Sequence, residues 1–303
     1  MGTMSGDEAA WNGAAQEYWV RSRFYTPPPE FEGCFTTFYK LELSVEGGGT
    51  VHDYLQPEWA NIRFFAGSCP NAQIPGSSDA SGARFTATGP STLPVRFELG
   101  STRMWGVGFL PLGWARFMDV EAQSLANLVA NGETHPAFAR FSILCGQLCD
   151  DRLSDEEQYQ AILSAMRELI RPSRDEQKIL RIHRALFDAG VTNVSEFADH
   201  VGMSIRTLER ICRRYFGFSP KLLMRRQRFM RSLASYMLHR GSKWTEVMDA
   251  DYHDQAQFTR EFHEFMTMNP SEYAALDHPI LESFMEARAR IWGAAAQTLD
   301  MPG

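Results

Sequence analysis

The first third of the chain alternates short apolar runs with clusters of turn-forming residues. The clusters are rich in Gly, Pro, Ser and Asn, as at residues 47–49, 70–82 and 89–94. The apolar runs cover residues 35–43, 61–65, 83–88, 95–99 and 104–110. Short runs between turns are typical of β-strands, and strands spaced this regularly predict a barrel or a sandwich.

Longer patterns with helical spacing follow the predicted strands. They cover roughly residues 119–131, 136–149 and 155–170. The third helix is expected to end before Pro172, because proline disfavours helical conformation at the preceding residue. We therefore expect a polar N-terminal segment at 1–20, a β-rich domain with following helices at 21–171, and a domain boundary at 171–175.

Residues 174–280 carry the signals of capped helices throughout, with a further helix or tail at 281–303. N-cap candidates that precede apolar residues at helical spacing are Asn193, Ser204 and Ser219. Glu196, three residues after the first, completes an Asn version of the capping box. Gly202 supplies a turn between helices, and Gly217 is a natural helix stop. A first-turn proline, as at residue 220, loses no hydrogen bond.

The second domain repeats its own pattern at an offset of 50 residues. The positions with matching roles are Ser204 and Asp254, Leu208 and Phe258, Arg210 and Arg260, Cys212 and Phe262, Ser219 and Asn269, Pro220 and Pro270, and Phe197 and Ala198 with Val247 and Met248. Caps match caps, apolar positions match apolar positions, and one Arg matches another. The shared offset predicts two copies of one helix-turn-helix unit.

Composition disfavours several classes of protein and leaves one unusual distribution of charge. The 303 residues are 44% hydrophobic, and no stretch approaches the length of a membrane span. The N-terminus lacks the pattern of a secretory signal and the five cysteines are scattered, so we expect a cytoplasmic protein with reduced thiols.

The net charge is −7, yet residues 202–243 hold eleven basic residues against one acidic residue. Such a patch indicates a polyanion, a membrane surface or a merely solvated face.

The helix predicted after Ser204 separates apolar from basic residues. Arg206 and Arg210, four residues apart, share the face opposite its apolar side. Arginine can donate two hydrogen bonds to guanine O6 and N7 in the major groove, and Glu209 could accept one from a cytosine amino group. Membrane binding would need exposed apolar residues opposite the basic face, whereas the apolar residues here are needed for a core. The pattern favours DNA.

A longer helix, predicted at residues 220–238, follows the first unit. At about 1.5 Å per residue it extends nearly 30 Å, close to the roughly 34 Å between successive major grooves on one side of a duplex. Lys221, Arg225 and Arg228 recur along it at four- and three-residue spacing. Two reading helices joined by this spacer could engage adjacent grooves without a dimer.

Two stretches of the chain resemble the helix-turn-helix units of the AraC/XylS transcription regulators. Residues 194–216 (VSEFADHVGMSIRTLERICRRYF), followed by GFSPK, resemble the first unit, and residues 252–265 (YHDQAQFTREFHEF), followed by MTMNPSEY, the second. The match covers about 100 residues, from Arg174 to about Ala275. The resemblance implies an α+β protein of two domains: an N-terminal cupin-like β-barrel with following helices, and an all-α domain with two helix-turn-helix units and a connecting helix.

The resemblance also implies which residues meet the DNA. In this family the second helix of each unit enters the major groove. The resemblance therefore implies that Arg206, Glu209 and Arg210 contact bases in the first unit, and Gln255 and Arg260 in the second. Together with positions on the same basic faces, the expected DNA-binding residues are Arg206, Glu209, Arg210, Arg213, Arg225, Arg228, Gln255 and Arg260. Arg228 matches an Arg of the connecting helix, for which a structural or phosphate-binding role is favoured over base reading.

The second unit departs from the family pattern. Asp251 stands where members usually have Gly, and it adopts a positive φ less cheaply. Residues 244–280 contain one basic residue, Arg260, against eight acidic residues. Because phosphate attraction supplies much of DNA affinity, we hypothesise that the first unit and the spacer provide most of the affinity.

The β-rich front half also resembles the sensor and dimerisation domains of this family. The resemblance implies a small-molecule effector, a homodimer through this domain, and RNA polymerase as a further partner. Aromatic residues are dense here, at Trp59, Phe64, Phe65, Trp105, Phe109, Trp114 and Phe117. Such rings would line an apolar pocket or fill an ordinary barrel core, and the core is favoured. No ligand contact is assigned.

Signals for an enzyme are weak. Residues 1–173 contain only His52 and His135, too few for a His-rich metal centre, and the Gly-rich stretches fit neither a P-loop nor a dinucleotide fingerprint. Cys145 and Cys149 form a redox pair, a metal pair or, as favoured, two buried small residues. Five further histidines are expected on surfaces or helix ends: His183, His200, His253, His263 and His278.

The sequence thus predicts a DNA-binding transcription regulator without catalysis, metal or cofactor. The alternative of a different class is a small-molecule-binding or protein-interaction module whose DNA-binding domain is degenerate, as the acidic second unit suggests. An enzyme is the third reading. Salt-dependent retention on DNA separates the first two, and a bound metal or cofactor would identify the third.

Overall fold

The computed structural model describes residues 17–76, 79–150, 152–188, 191–293 and 296–302. Most of the predicted polar N-terminal segment, residues 1–16, therefore lies outside the described residues. The described residues form a sheet-rich part followed by a helical part, as the sequence predicts.

Nine strands of the described residues form two antiparallel sheets. They are β1 (Tyr18–Tyr25), β2 (Phe35–Val45), β3 (Val51–Leu55), β4 (Ala60–Gly67), β5 (Asn71–Gln73), β6 (Phe85–Thr88), β7 (Val95–Leu99), β8 (Thr102–Phe109) and β9 (Val129–Asn131). The larger sheet has the order β1-β2-β8-β4-β6-β9 and the smaller has the order β3-β7-β5. Apolar residues of both sheets share one buried cluster, so the sheets enclose a common interior. The five predicted strand runs are confirmed.

The predicted helix at 119–131 is wrong. Helix α1 (Pro111–Phe117) lies before it, and the range itself holds only a 3-10 turn at Ala122–Leu125 and the strand β9. Asn127 has φ = 55°, which interrupts any helix. Residues 129–131 then pair with β6. A long-range strand pairing has outweighed the local helical pattern.

The next two predicted helices are partly and fully confirmed. Residues 136–149 contain a 3-10 helix (Ala139–Leu144) and only a short α2 (Cys145–Leu148). Helix α3 (Asp155–Leu169) begins with a reciprocal capping box between Ser154 and Glu157 and ends before Pro172.

The helical part contains the expected capped helices. They are α4 (Glu176–Ala185), α5 (Val194–His200), α6 (Ile205–Ile211), α7 (Pro220–Leu238), α8 (Trp244–Val247), α9 (Gln255–Met266), α10 (Pro270–Ala274) and α11 (Leu281–Trp292). Helix α6 continues into a π-helical turn at Cys212–Phe216. Among the described residues, no helix has the length and apolar character that crossing a membrane requires.

The two helix-turn-helix units pack in different hydrophobic cores. The first unit shares one continuous core with the β-rich domain, in which Leu208 and Phe216 join Trp59 and Phe109. The second unit packs around Phe258 in a separate core with α7 and α11. The seven aromatic side chains of the front half are buried; six agree with the predicted place in a core, whereas Phe65 also lines the cavity described below.

The expectation of surface histidines is wrong at two positions, although His183 does lie in the last turn of α4, a helix end. His183 and His278 are fully buried. His183 packs edge-to-face against Trp59 across the domain boundary, and His278 lies against Tyr273 with ring centroids 4.5 Å apart. Both are buried by contacts with the β-rich domain, which the local sequence does not reveal.

Candidate DNA-binding interface and effector cavity

The first unit is built by caps and a glycine turn. The Asn193 Oδ1 atom accepts a hydrogen bond from the Glu196 N–H at 3.0 Å, and Ser204 Oγ accepts one from the Thr207 N–H at 3.2 Å. Between the helices, Gly202 has φ = 63°, a conformation that side-chain-bearing residues rarely adopt. These signals fix the beginnings of α5 and α6 where the sequence predicts them.

Helix α6 buries one face and exposes a basic one. Leu208 and Ile211 are fully buried, whereas Arg206 and Arg210 are exposed. The Arg210 side chain is 51% exposed, and its Nη1 atom lies 3.9 Å from Asp175 Oδ2. The predicted sharing of one outer face by the two arginines is therefore confirmed.

Glu209 and Arg213 lie beside the exposed pair. Arg213 Nε donates a hydrogen bond to Glu209 Oε2 at 3.3 Å, four residues apart on the helix. Both side chains remain substantially exposed, at 44% for Arg213 and 40% for Glu209. This contact limits the repulsion that a lone carboxylate would exert on phosphate.

The second unit repeats the architecture with fewer basic groups. Asp254 caps α9 as Ser204 caps α6, and Asn269 with Glu272 forms a capping box at α10. Gln255 and Arg260 are exposed on α9. Among the described residues, positive φ outside glycine occurs only at Asn127 and Thr267, so the strain expected at Asp251 does not arise.

Two arginines of α7 are engaged by acids of α9. Arg225 Nε donates to Glu261 Oε1 at 2.8 Å and also pairs with Glu264. Arg228 Nη2 donates to the same Glu261 oxygen at 2.7 Å, and its guanidinium lies 4.4 Å from the centre of the Tyr252 ring. The structure therefore places Arg225 and Arg228 between the two helices rather than on an open face.

These contacts determine the charge state of Glu261. Burial alone would raise its pKa, but hydrogen bonds from Arg225 and Arg228 outweigh that effect and hold the pKa below its ordinary value. Acidic side chains of the second unit thus neutralise arginines of α7, which is the predicted spacer helix. The identical three-residue spacing of Arg225 and Arg228 and of Glu261 and Glu264 was the signal that the sequence offered.

Arg226 joins α7 to the β-rich domain. Its side chain is fully buried, Nη1 donates to the Ser91 carbonyl oxygen at 3.0 Å, and the guanidinium stacks 3.9 Å from the centre of the Trp59 ring. Burial lowers its pKa to about 9. One member of the sequence-predicted basic patch is therefore a domain contact.

A cavity lies between the two sheets of the front domain. It contains about 930 Å³ of space not occupied by atoms, including the part open to solvent. Its apolar lining comes from both sheets and from the C-terminal residues: Leu41, Leu55, Phe65, Val95, Phe97, Leu99, Met104, Ile280, Leu281, Phe284 and Met285. The sequence predicted a packed core here and missed this space, because the lining residue types are the same.

A buried ion pair forms the polar end of the cavity. Arg63 Nη2 donates to the two Glu58 carboxylate oxygens at 3.0 and 2.7 Å, and Arg63 Nε donates to Tyr39 Oη at 3.0 Å. Thr88 Oγ1 donates to Glu58 Oε1 at 2.7 Å. The two charges compensate each other, so the cavity has polar hydrogen-bonding groups without a net charge.

Comparison with known families identifies the helical part. Residues 197–275 match the model of a helix-turn-helix domain, which spans the two units described above. No curated protein sequence matches the chain.

Several solved structures resemble the chain. ToxT from Vibrio cholerae O395 has 13% identity and a TM-score of 0.41, with 75% of this chain and 97% of that chain covered. ToxT from the same strain bound to (E)-4-(8-methylnaphthalen-1-yl)but-3-enoic acid has 14% identity and a TM-score of 0.43, with 75% and 98% covered. The AraC-like transcriptional activator CuxR has 14% identity and a TM-score of 0.26, with 71% and 87% covered.

The two capped units and the matched model define a DNA-binding transcription regulator with a helix-turn-helix domain. Within that class, the domain at 197–275 is of the AraC type.

Proposed function

We propose that this regulator reads its operator mainly through α6. The observation that carries the proposal is the exposure of Arg206 and Arg210 on one face of a capped helix whose other face is fully buried. Two guanidinium groups so presented suit guanine edges in the major groove. Glu209 accepts from a neighbouring base, and Arg213 contacts phosphate.

The second unit contributes fewer contacts in this proposal. Gln255 and Arg260 are its base-contacting residues: both are exposed on α9, and Arg260 matches Arg210 at the offset of 50 residues. Arg225 and Arg228 act through position: by pairing with Glu261 they hold α9 against the spacer helix. The affinity for phosphate then depends on the exposed cations of the first unit and on Lys221.

Control by a small molecule is the second part of the proposal. The cavity between the sheets has the mainly apolar lining and the few converging polar groups of a ligand pocket. Since Glu58 and Arg63 neutralise each other at its polar end, an uncharged and mainly apolar effector fits better than an anion. Uncompensated charge in such a site would cost several kcal/mol, on the order given for buried ions.

Genomic footprinting of the full-length protein tests the DNA-binding part and gives its targets. On a target so found, Arg210→Ala should cost about 1–3 kcal/mol and relax discrimination at one base pair. Absence of salt-dependent retention on DNA would instead favour the alternative, a binding module with a degenerate DNA domain.

A second copy of the chain and RNA polymerase are the further partners that we propose. A homodimer through the front domain would place two copies of the reading helices on one operator, and contact with RNA polymerase would convert binding into regulation. We place DNA binding and the contact with RNA polymerase in the cytoplasm. Sedimentation of the protein with and without its operator tests the dimer.

A further inference from the structure

The described residues after the second unit, 278–293 and 296–302, return to the β-rich domain; we name them the C-terminal segment. Its beginning is anchored by Asp53 in β3, which is almost completely buried. Asp53 Oδ2 accepts hydrogen bonds from the backbone N–H groups of Ile280 at 2.9 Å and Leu281 at 2.8 Å. Asp53 Oδ1 lies 3.0 Å from His278 Nδ1. Three contacts on one buried carboxyl fix where α11 begins.

Apolar side chains of the C-terminal segment form one wall of the cavity. They are Ile280, Leu281, Phe284, Met285 and Ala296. Phe284 packs on Phe24 and on Tyr39 with ring centroids 4.9 Å apart in each case. Without this segment, the space between the sheets would be open to water on that side.

The polar end of the cavity is joined to the same segment. Asn61 Nδ2 donates to Gln297 Oε1 at 3.1 Å and lies 3.4 Å from Glu58 Oε2. The Glu58 carboxylate is therefore connected to the C-terminal segment through one side chain, that of Asn61, and Gln297 itself lines the cavity.

The C-terminal segment is equally bound to the second helix-turn-helix unit. Leu281 and Met285 belong to the core that contains Phe258 and Phe262 of α9. The carbonyl oxygen of Thr298 accepts a hydrogen bond from Gln227 Nε2 of α7 at 2.7 Å. One stretch of chain thus contacts both the cavity and the elements that position α9.

We propose that the C-terminal segment is a lid on the effector cavity and transmits its occupancy to the second helix-turn-helix unit. The inference rests on the proposed function, because it requires an effector in the cavity. An occupant that contacts Leu281 and Phe284 shifts α11, and α9 follows because it shares a core with α11. The first unit shares its core with the β-rich domain and lies outside this path.

The lid is tested with N-phenyl-1-naphthylamine, an uncharged apolar probe whose fluorescence rises in apolar sites. Phe284→Ala should release the bound probe at least tenfold faster in stopped-flow displacement. Ile291→Ala is the matched control, since Ile291 lies on the same helix but is 56% exposed. Equal release rates in Phe284→Ala, Ile291→Ala and the wild type would overturn the lid.

Transmission is tested on the unaltered protein by backbone hydrogen exchange with and without saturating probe. Exchange should change in peptides from 278–292 and 255–274 and stay constant in 205–216. Unchanged exchange in 278–292, or a change that stops short of 255–274, would overturn the inference.

Failure of the proposed function has a different signature. If the wild type does not take up the probe, the effector part of that proposal fails together with this inference, whatever the DNA result. Binding of the probe with unaltered exchange overturns only the inference. Loss of sequence-specific DNA binding with the lid behaviour intact overturns only the DNA-reading part.

Discussion

Arg228 of α7 and Glu261 of α9 are joined by an ion pair of 2.7 Å between Nη2 and Oε1. The contact ties the spacer helix to the reading helix of the second unit, and Arg225 binds the same carboxylate from one turn earlier. A basic helix and an acidic helix that look ill-matched for DNA in sequence are therefore complementary to each other.

Because Arg225 is paired with Glu261 and Glu264, its substitution should affect stability more than DNA binding. We expect Arg225→Ala to lower the melting temperature while leaving the dependence of DNA affinity on salt nearly unchanged. Lys221→Ala, at an exposed position one turn earlier on the same helix, should reduce the slope of log K against log salt by about 0.9, the value for one phosphate contact. Fluorescence anisotropy titrations at several salt concentrations measure both. A reduced slope in Arg225→Ala alone would return that residue to the phosphate-contacting set.

Glu261→Gln should destabilise the protein in a pH-dependent way. Removing one partner of a buried pair costs roughly 3–5 kcal/mol, and we expect about 2 kcal/mol here because Arg225 retains 28% exposure. The folded-state pKa of Glu261 lies below its ordinary 4.5. Its contribution is therefore present above pH 4.5 and is lost as the pH falls through the folded pKa.

Urea denaturation at several pH values checks this expectation. The difference between wild type and Glu261→Gln should be full at pH 7 and shrink below pH 4.5. Glu272→Gln, which affects an exposed capping residue, is a control for the loss of one acidic charge in the same unit. A cost in Glu261→Gln that is constant with pH would contradict the assignment.

The features that the sequence predicted are those with a local physical cause. Ser204 and Asp254 each cap a helix three residues before the N–H they bond, and Gly217 ends one with φ = 87°. These interactions span a few residues, so spacing alone reveals them. The alternation of apolar residues likewise predicted strands such as β7 without knowledge of their partners.

The features that the sequence did not predict depend on residues far apart in the chain. Asp53 and His278 are 225 positions apart, and nothing near either residue indicates the other. The sequence places Arg226 in the basic patch. The residue is buried only because α7 packs on Trp59 of the β-rich domain, which the local sequence does not show. The cavity escaped prediction for the same reason: apolar residues line a void or fill a core according to how two sheets meet.

His183 should make the protein sensitive to acid. Burial lowers its pKa to about 3, from 6.5 for an exposed histidine. The folded state therefore resists a proton that the unfolded chain accepts below pH 6.5. The stability is full above pH 6.5 and falls by about 1.4 kcal/mol per pH unit between 6.5 and 3 through this group.

His183→Leu should remove that slope, because leucine has no group to titrate. Among the described residues, the buried His183 Nε2 atom has no hydrogen-bond partner, so the substitution breaks no bond at that atom. Thermal unfolding between pH 4 and pH 7 is the measurement, and His263→Leu, at an exposed position, serves as the control. Parallel pH profiles for wild type and His183→Leu would contradict the expected role.

The charge balance of the cavity predicts its preference between ligands of one length. We expect 1-decanol to displace N-phenyl-1-naphthylamine from the wild type more effectively than decanoate. In Glu58→Gln the Arg63 guanidinium loses its counter-charge. The affinity for decanoate should then rise about tenfold relative to decanol, because the guanidinium attracts the ligand carboxylate inside the protein more strongly than in water. Glu133→Gln, whose partner Arg84 lies outside the cavity, should leave the preference unchanged. A wild type that prefers decanoate would rule out an uncharged effector.

The two units should contribute unequally to DNA binding. Arg206 and Arg260 are both exposed on the reading helices, but α6 adds Arg210 and Arg213 to its face, whereas α9 commits Glu261 and Glu264 to the spacer. On one duplex selected by the wild type from a random pool, Arg206→Ala should cost about 1–3 kcal/mol, the range for one good base contact. Arg260→Ala should cost less than half of that, because fewer neighbouring cations hold its helix in the groove. Titrations at a single salt concentration compare the two directly, and equal losses would mean that both grooves are read alike.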